Sequence, residues 1–344
     1  MGISLESKVK MTSVYKPGKN NLITDVEGVK VGHFTIKDDA RDIHTGVTAI
    51  IPHEGNIFKD KVMAATSVIN GFGKSAGLVQ IDELGTIETP IIMTNTLSVG
   101  TALNALTKYM LKDNEDIGVS TGTVNCVVTE CNDGDLNDIR GQHIKEEHVF
   151  KALENASEIF EEGDVGAGTG MICMGLKGGI GSASRVFQID DKDYTVGAMV
   201  LSNFGFPECL RIDGKLINVK EIAEKKDGDV EKGSVIILIA TDVPLSERQL
   251  RRVAKRATVA LARTGSYLGN GSGDIAIAFS TANRVPHYGD TSMVDMKMIN
   301  DRAIDKIFQA TAEAVEESVY SSLDHAHTVT GIRGKKVYAL SEIL

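Results

Sequence analysis

The pair Gly233-Ser234 stands directly before an apolar run, an order of residues that could support self-cleavage of the chain. The run, Val-Ile-Ile-Leu-Ile-Ala at 235–240, is typical of a β-strand buried on both faces. Gly233 follows Lys232 and has no Cβ, so the backbone can twist and the Ser234 hydroxyl can approach the preceding carbonyl. Attack on that carbonyl would form an ester by an N→O acyl shift. Water would then open the ester and leave two chains, 1–233 and 234–344.

A chain that begins with Ser234 would carry its nucleophile and its base on one residue. An α-amine has a pKa of about 7.7–8.0, against about 10.4 for a lysine side chain, so a useful fraction is neutral at physiological pH. The amine could therefore activate the hydroxyl of its own residue. Without cleavage, Gly-Ser is an ordinary turn before a core strand, and the pair alone does not decide between these alternatives.

Partners for Ser234 are predicted in the segment Gly-Asn-Gly-Ser-Gly-Asp at 269–274. Its Ser272 comes 38 residues after Ser234, between a predicted helix and a predicted strand. A β–α–β return would bring it beside the first strand, where Ser272 could hydrogen-bond the Ser234 hydroxyl or amine and Asp274 could orient that group. Asn203 ends another predicted strand. Its amide could donate to a developing oxyanion, or it could simply cap a turn.

Two other patterns are weaker candidates for chemistry. The glycine-rich stretch 163–184 fits neither the dinucleotide fingerprint nor the P-loop, so close backbone packing is favoured over phosphate binding. His325 and His327 have no third ligand at a convincing spacing, which favours surface or loop histidines over a metal site. A histidine-based serine triad is not favoured, so a serine nucleophile is expected to take its base from an N-terminal amine.

Strand and helix patterns alternate along the chain and favour one compact α/β domain over residues 1–344. Residues 246–249, Ser-Glu-Arg-Gln, form a predicted capping box, and Thr96 or Ser98 is expected to cap an earlier helix. The small residues of 61–77 predict a turn or a helix, and 213–233 a polar hairpin or linker. Strands are predicted at 29–31, 46–51, 90–94, 125–130, 195–203, 234–242 and 274–282, and helices up to 111 and over 145–161, 246–264 and 301–323.

Bulk composition excludes several classes of function. The 37 basic and 47 acidic residues give a net charge of −10, which argues against a nucleic-acid partner. The four cysteines include no C-x-x-C pair, a pattern that predicts reduced thiols and a cytoplasmic setting. The polar residues 1–20 predict no signal peptide, and no apolar run approaches the roughly 18 residues of a membrane span.

Longer motifs extend across about residues 22–335. They are Thr94-Asn-Thr-Leu-Ser-Val-Gly100, Asn132-Asp-Gly-Asp-Leu-Asn-Asp138, Gly168-Thr-Gly-Met-Ile-Cys173, Lys177-Gly-Gly-Ile-Gly-Ser-Ala-Ser-Arg185, Gly233-Ser-Val-Ile-Ile-Leu-Ile-Ala-Thr-Asp242, Leu261-Ala-Arg-Thr-Gly265 and the segment from Gly269 to Asn283. Together they resemble the DmpA family, which comprises L-aminopeptidase/D-Ala-esterase/amidases and related β-aminopeptidases.

The resemblance implies a four-layer α/β/β/α fold of N-terminal-nucleophile type and self-cleavage before Ser234. It also implies a homo-oligomer of two-chain protomers, a tetramer of heterodimers. Some members carry a tyrosine where this chain has Asn132, so the pocket lacks a phenolic donor at this substrate-binding position. The other implied roles are a nucleophile at Ser234, its partners at Ser272 and Asp274, an oxyanion donor at Asn203, and a carboxylate for the substrate's amino group at Glu130.

These observations predict a serine aminopeptidase or amidase that needs no metal or organic cofactor. It would release N-terminal residues from short peptides, amides or esters through an acyl-enzyme on Ser234. One alternative is an acetyltransferase of the ornithine acetyltransferase type, whose nucleophile is usually threonine. Another is a non-catalytic oligomeric binding protein in which Gly233-Ser234 stays intact.

Overall fold

The computed structural model describes residues 9, 11–219, 233–289 and 291–342. The α-helices of this part are α1 Leu78–Leu84, α2 Val99–Lys112, α3 Glu146–Glu154, α4 Glu247–Ala254, α5 Ala257–Arg263 and α6 Ile304–Asp324. The strands are β1 Lys30–Asp38, β2 Ile43–Ile51, β3 Asp60–Gly71, β4 Thr86–Ile87, β5 Ile91–Asn95, β6 Val127–Cys131, β7 Ile172–Cys173, β8 Leu176–Lys177, β9 Gly179–Ile189, β10 Lys192–Asn203, β11 Arg211–Ile212, β12 Lys215–Leu216, β13 Ser234–Thr241, β14 Gly273–Pro286, β15 Val329–Thr330 and β16 Lys336–Val337.

Two sheets pack face to face and carry helices on their outer faces. One has the order β1-β2-β5-β6, and the other has the order β4-β3-β14-β13-β10-β9. Helices α2 and α3 cover the four-stranded sheet, while α4, α5 and α6 cover the six-stranded sheet. The layers therefore run helix, sheet, sheet, helix, which confirms the expected α/β/β/α fold.

Strand β13 lies in the middle of the larger sheet and explains the unbroken apolar run. Ile236 and Leu238 face the core between the two sheets, while Ile237 and Ile239 face the helix layer. Both faces of the strand are buried, so every residue from 235 to 240 must be apolar. The predicted β–α–β return is also present, because β13 and β14 are parallel neighbours joined through α4 and α5.

The longest helix, α6, packs against β9 and β10 at close range. A Cβ placed on Gly181 of β9 would lie 1.9 Å from the carbonyl oxygen of Ser318 on α6. Glycine at this position lets the helix backbone approach the strand directly. The small residues of the 179–184 motif thus serve close packing of a helix on a sheet.

Several local predictions are wrong. Most of segment 61–77 is strand β3, whose small residues make room for α4 rather than forming a helix. The helix expected over 145–161 ends at Glu154, because the Ser157 backbone pairs with Val31 of β1. The helix expected over 246–264 is split into α4 and α5, although the Ser246–Gln249 capping box is confirmed. The Asn95 side chain, rather than Thr96 or Ser98, caps the turn before α2.

Part of the predicted hairpin or linker at 213–233 can be compared with the structure. Residues 211–212 and 215–216 form the short β11–β12 ribbon. Residues 220–232, including Lys232, lie outside the described part. In the portion of the chain that the structure covers, no helix is both long enough and apolar enough to cross a bilayer.

Candidate active site

Ser234 is the first residue of β13 and is held between two neighbouring strands. Its Cα is paired with Asn203, the last residue of β10, and with Gly273, the first residue of β14. The side chain is only 6% exposed. Three strand ends that are far apart in sequence therefore meet at this one residue.

The carbonyl group before Ser234 accepts two hydrogen bonds. Ser234 Oγ donates to the Gly233 oxygen at 2.6 Å, and the Gly273 N–H donates to the same oxygen at 3.1 Å. A Cβ on Gly273 would lie 3.0 Å from Ser234 Oγ and 2.6 Å from the Phe72 carbonyl oxygen, so only glycine fits there without displacement. The hydroxyl thus lies against its own preceding peptide group, and a backbone donor polarises that carbonyl.

Ser272 and Asp274 flank Gly273 and are bonded to each other. Ser272 Oγ donates to Asp274 Oδ1 at 2.6 Å, and both side chains are buried. The residue between them, Gly273, is the strand partner of Ser234, whose hydroxyl donates to the Gly233 oxygen. Asn70, at the end of β3, donates from its amide to the carbonyl oxygens of Gly269 at 2.9 Å and of Ser272. Asn70 fixes the loop that carries Ser272, a role that the sequence did not reveal.

The Asn203 amide is held in one orientation. Its Oδ1 accepts from the Ile172 N–H at 2.9 Å, and its Nδ2 donates to the Asn132 carbonyl oxygen at 3.0 Å. An amide nitrogen has two N–H bonds, and the Asn132 carbonyl takes one. The side chain of Asn132 is itself exposed and accepts from the Gly134 N–H at 2.8 Å.

Glu130 supplies a buried carboxylate near the same strand ends. It lies on β6 of the other sheet, is 3% exposed, and accepts hydrogen bonds from the Lys74 N–H at 2.8 Å and from the Thr96 hydroxyl. Burial raises the pKa of the neighbouring Cys131 thiol well above its ordinary value, and the carboxylates of Glu130 and Asp274 add to that rise. Negative charge is thus concentrated where the two sheets meet.

These groups open into one cavity of about 340 Å³. The predicted residues Ser234, Asn203, Glu130 and Asn132 line it, whereas Ser272 and Asp274 are buried and do not line it. Sequence reasoning did not assign a site role to five other lining residues, Phe72, Lys74, Thr96, Asn270 and Gly271. The cavity offers a hydroxyl, an amide donor and a carboxylate to one small ligand.

The weaker candidates remain outside this cavity. In the 163–184 stretch, a Cβ on Gly168 would lie 2.5 Å from the Ile180 nitrogen, in line with the expected close packing. His327 is 84% exposed and bonds Asp164, while His325 contacts Ser321 of α6. Over the described residues, no three His, Cys, Asp or Glu side chains come together as a metal site would require.

A four-layer α/β/β/α fold with a serine at the start of a central strand is the architecture of hydrolases of the N-terminal-nucleophile type. The comparison with protein families agrees, since the model of peptidase family S58 matches residues 21–337. The chain belongs to peptidase family S58. Family membership favours hydrolysis over acetyl transfer or non-catalytic binding.

Two relatives of similar sequence support this assignment. The β-peptidyl aminopeptidase BapA of Sphingosinicella microcystinivorans is 38% identical over 94% of this chain and 86% of its own length. The same enzyme of Sphingosinicella xenopeptidilytica is also 38% identical, over 94% of this chain and 85% of its own length.

Solved structures match almost the whole chain. The PH0078 protein from Pyrococcus horikoshii OT3 is 56% identical with a TM-score of 0.90, covering 98% of this chain and 94% of that protein. A β-aminopeptidase from Burkholderia sp. has 39% identity and a TM-score of 0.88, with coverages of 96% and 94%. The L-aminopeptidase D-Ala-esterase/amidase from Ochrobactrum anthropi has 36% identity and a TM-score of 0.89, with coverages of 96% and 93%. It is described as a serine aminopeptidase with a variant of the Ntn-hydrolase fold.

Proposed function

We propose that this hydrolase is a self-processing serine aminopeptidase, with Ser234 as both the site of cleavage and the nucleophile. The observation that carries the proposal is the Ser234 hydroxyl, 2.6 Å from the Gly233 carbonyl oxygen at the wall of a cavity that contains Glu130. The aminopeptidase relatives and the peptidase family support the reaction class. The assignment of individual residues is our own.

Self-cleavage would begin when Ser234 Oγ attacks the Gly233 carbonyl carbon. The Gly273 N–H, 3.1 Å from the carbonyl oxygen, would stabilise the negative charge that develops there. The C–N bond then breaks, the former hydroxyl proton is delivered to the departing amine, and an ester remains. Hydrolysis of that ester leaves a Gly233 carboxylate and a Ser234 with a free amine and a free hydroxyl.

Turnover would use the new α-amine as the base for the Ser234 hydroxyl. The Ser272 hydroxyl, which donates to Asp274 at 2.6 Å, would accept a hydrogen bond from that amine or hydroxyl. The Asn203 Nδ2 would donate to the oxyanion of the substrate. An acyl-enzyme forms on Ser234, the amine or alcohol leaves, and water releases the acyl group.

Glu130 defines the class of substrate. A buried carboxylate that already accepts two hydrogen bonds can hold an ammonium group in place, so the substrate carries a free N-terminal amine. A cavity of about 340 Å³ fits one or two small residues. We therefore infer that the substrates are short peptides, amino-acid amides or esters, with Asn132 beside the bound residue.

We also propose a homo-oligomer of two-chain protomers, a tetramer of heterodimers, located in the cytoplasm. The four cysteines form no disulfide in the described part of the chain, which fits a reducing compartment. Exposed apolar side chains of the segment 291–298, among them Met293 at 86% and Met298 at 61%, fit contact between copies.

The first test is the intact mass of the freshly purified protein under denaturing conditions, beside Ser234→Ala. We expect two species, residues 1–233 and 234–344, from the natural chain and one uncut species from the variant. Cleavage of Ser234→Ala at the same bond would remove Ser234 from the chemistry. A single uncut species from both proteins would support the non-catalytic alternative.

The second test separates hydrolysis from acetyl transfer. Cleaved protein is incubated with aminoacyl and β-aminoacyl p-nitroanilides and, separately, with acetylornithine and glutamate. We expect release of p-nitroaniline from substrates with a free amine and none from their N-acetylated forms. Formation of acetylglutamate without hydrolysis would overturn the aminopeptidase assignment and favour the acetyltransferase alternative.

A further inference from the structure

Lys177 lies in a fully buried position outside the cavity, where three carbonyl acceptors favour its protonated form. Its ammonium donates to three backbone carbonyl oxygens, those of Gly168 at 2.9 Å, Met171 at 3.0 Å and Gly178 at 2.7 Å. The side chain is 0% exposed, and burial lowers its pKa to about 7, while the Asp164 carboxylate opposes that shift. A lysine held at such a position needs an explanation, because an alkyl side chain would avoid the desolvation of a charge.

The second of these carbonyls belongs to the peptide group that holds Asn203. The Met171 oxygen accepts from Lys177, and the N–H of the same peptide, on Ile172, donates to Asn203 Oδ1 at 2.9 Å. A trans peptide is planar, with its C=O and N–H on opposite sides. Lys177 and Asn203 are thus attached to the two ends of one rigid group, and a rotation that moves one end moves the other.

The orientation of the Asn203 amide decides what it presents to the cavity. With Oδ1 held by the Ile172 N–H, the Nδ2 group is directed to the Asn132 carbonyl and the cavity. The reverse orientation would present an oxygen to the substrate carbonyl and repel a developing negative charge. A donor at that position therefore requires a fixed Ile172 N–H.

We propose that Lys177 is a positioning residue for the oxyanion donor. Its charge-assisted bond to the Met171 carbonyl fixes the 171–172 peptide, and through it the orientation of the Asn203 amide. The inference rests on the role of Asn203 in the proposed function. A hydrogen bond to the carbonyl end of a peptide also polarises the group and strengthens the bond that its N–H donates.

The surrounding chain leaves this peptide few alternative positions. Ile172 and Lys177 are paired across the β7–β8 ribbon, and the Gly178 N–H donates to the same Met171 oxygen at 3.0 Å. A Cβ on Gly178 would lie 2.7 Å from the Ser202 carbonyl oxygen, directly before Asn203. The lysine, the ribbon and the end of β10 thus form one packed unit.

The test is a double-mutant cycle with Lys177→Met and Asn203→Ala, assayed as kcat and KM per self-cleaved chain on an aminoacyl p-nitroanilide. Loss of a single oxyanion donor costs about 10²–10³-fold in kcat. We expect Asn203→Ala to fall in that range, and Lys177→Met to lose about 10–100-fold in kcat with little change in KM. In the Asn203→Ala background, Lys177→Met should lower kcat less than about 3-fold further, because residues that act as a unit are not additive.

A matched control is Lys61→Met, since Lys61 is also largely buried and bonds Glu88 on another part of the six-stranded sheet. Its effect on kcat should be small and the same in both backgrounds. If Asn203→Ala retains full kcat, the proposed role of Asn203 fails. If Asn203→Ala loses activity but Lys177→Met costs the same factor in both backgrounds, the positioning role of Lys177 fails.

A crystal structure keeps the proposal testable where Lys177→Met does not self-cleave. We expect the bond between the Ile172 nitrogen and Asn203 Oδ1 to be broken or the amide to be rotated. An unchanged distance of 2.9 Å would overturn the proposal. Lys177→Leu, which also removes the donor to the Met171 carbonyl, is the substitute if the methionine variant does not fold, and the same distance decides.

Discussion

Glu130 is the residue on which substrate choice depends in this proposal. It is buried on β6, while the nucleophile lies on β13 of the opposite sheet, so substrate binding and chemistry come from different layers. The Lys74 N–H and the Thr96 hydroxyl hold the carboxylate in place before any substrate arrives. Specificity for a free amine thus rests on one pre-oriented charge.

Glu130→Gln should raise KM for substrates with a free amine. A hydrogen bond to a charged partner contributes about 1.5–3 kcal/mol, so we expect kcat/KM to fall about 10–100-fold, mainly through KM. Glu88→Gln is the matched control, because Glu88 is equally buried but bonds Lys61 and Asn125. Steady-state kinetics on an aminoacyl p-nitroanilide measures both variants. An unchanged KM in Glu130→Gln would contradict the assigned role.

His33 makes the stability of the fold depend on pH. Its Nε2 lies 3.0 Å from the Glu161 carbonyl oxygen and must donate, while Nδ1 lies 2.9 Å from the Thr48 hydroxyl, which can donate to it. The neutral ring satisfies both contacts. Burial lowers the pKa of His33 to about 4, whereas the unfolded chain has about 6.5.

The direction of the effect follows from proton binding. Between pH 6.5 and 4 the unfolded chain binds a proton that the native ring does not, so stability present above pH 6.5 is lost as the pH falls. The loss amounts to at most about 3 kcal/mol. We expect His33→Gln to show a smaller difference in the free energy of unfolding by urea between pH 7 and 4.5. Parallel pH curves for the two proteins would contradict this.

At the scale of elements, glycines decide how closely helices and strands approach each other. Gly181 of β9 has no room for a Cβ against α6, whereas Gly100 of α2 has nothing within 4 Å of its Cβ position. Gly100 lies in the first turn of α2 and Gly181 within β9, and neither has a positive φ that would itself require glycine. Alanine at these two positions is therefore expected to change the stability of the protein in opposite directions.

Gly100→Ala should stabilise the protein and Gly181→Ala should destabilise it. Alanine in an exposed helix is about 0.5–1 kcal/mol better than glycine, because the unfolded chain has fewer conformations to lose. Overpacking at the β9–α6 contact should cost about 1–3 kcal/mol. Thermal and urea unfolding of both variants, with equal m-values, measures these differences. Equal stabilities would show that α6 can move away from β9.

The elements of the site were harder to predict than those of the core. The apolar run of β13 and the capping box of α4 are local patterns, and both were confirmed. Strand β3 was missed because its alanines are small to allow close packing of the helix that covers them. That contact leaves no pattern in the local sequence. Asn70 was missed for the same reason, since it acts on a loop 199 residues away along the chain.

At the scale of the whole molecule, the proposed reaction needs only the groups of this chain and water. A hydroxyl, an α-amine and an amide donor supply nucleophile, base and oxyanion contact. We therefore expect activity to be unchanged after incubation with excess EDTA and removal of the chelator by gel filtration. Loss of activity that zinc or manganese restores would contradict a mechanism based on Ser234 alone.

The assembly is a separate prediction at this scale. Four copies of the 36.9 kDa chain are expected in solution, each cleaved into two pieces that stay together. Light scattering after gel filtration measures the total mass, and denaturing mass spectrometry of the same fraction measures the pieces. A monomeric mass for active, cleaved protein would exclude the tetramer and leave the site assignment intact.

The sequence by itself determined the reaction class and the fold, because a long run of motifs and the Gly233-Ser234 pair are local signals. It also identified Ser234, Ser272, Asn203 and Glu130 as candidates. Only the tertiary structure decided that Ser234, Asn203 and Glu130 share one cavity, since their strands belong to two sheets and meet only when these pack face to face. The bonds that orient them, from Asn70, Ile172 and Lys177, join residues that sequence spacing does not relate. The geometry of these hydrogen bonds depends on the relative positions of distant backbone segments, and the packing of the two sheets determines those positions.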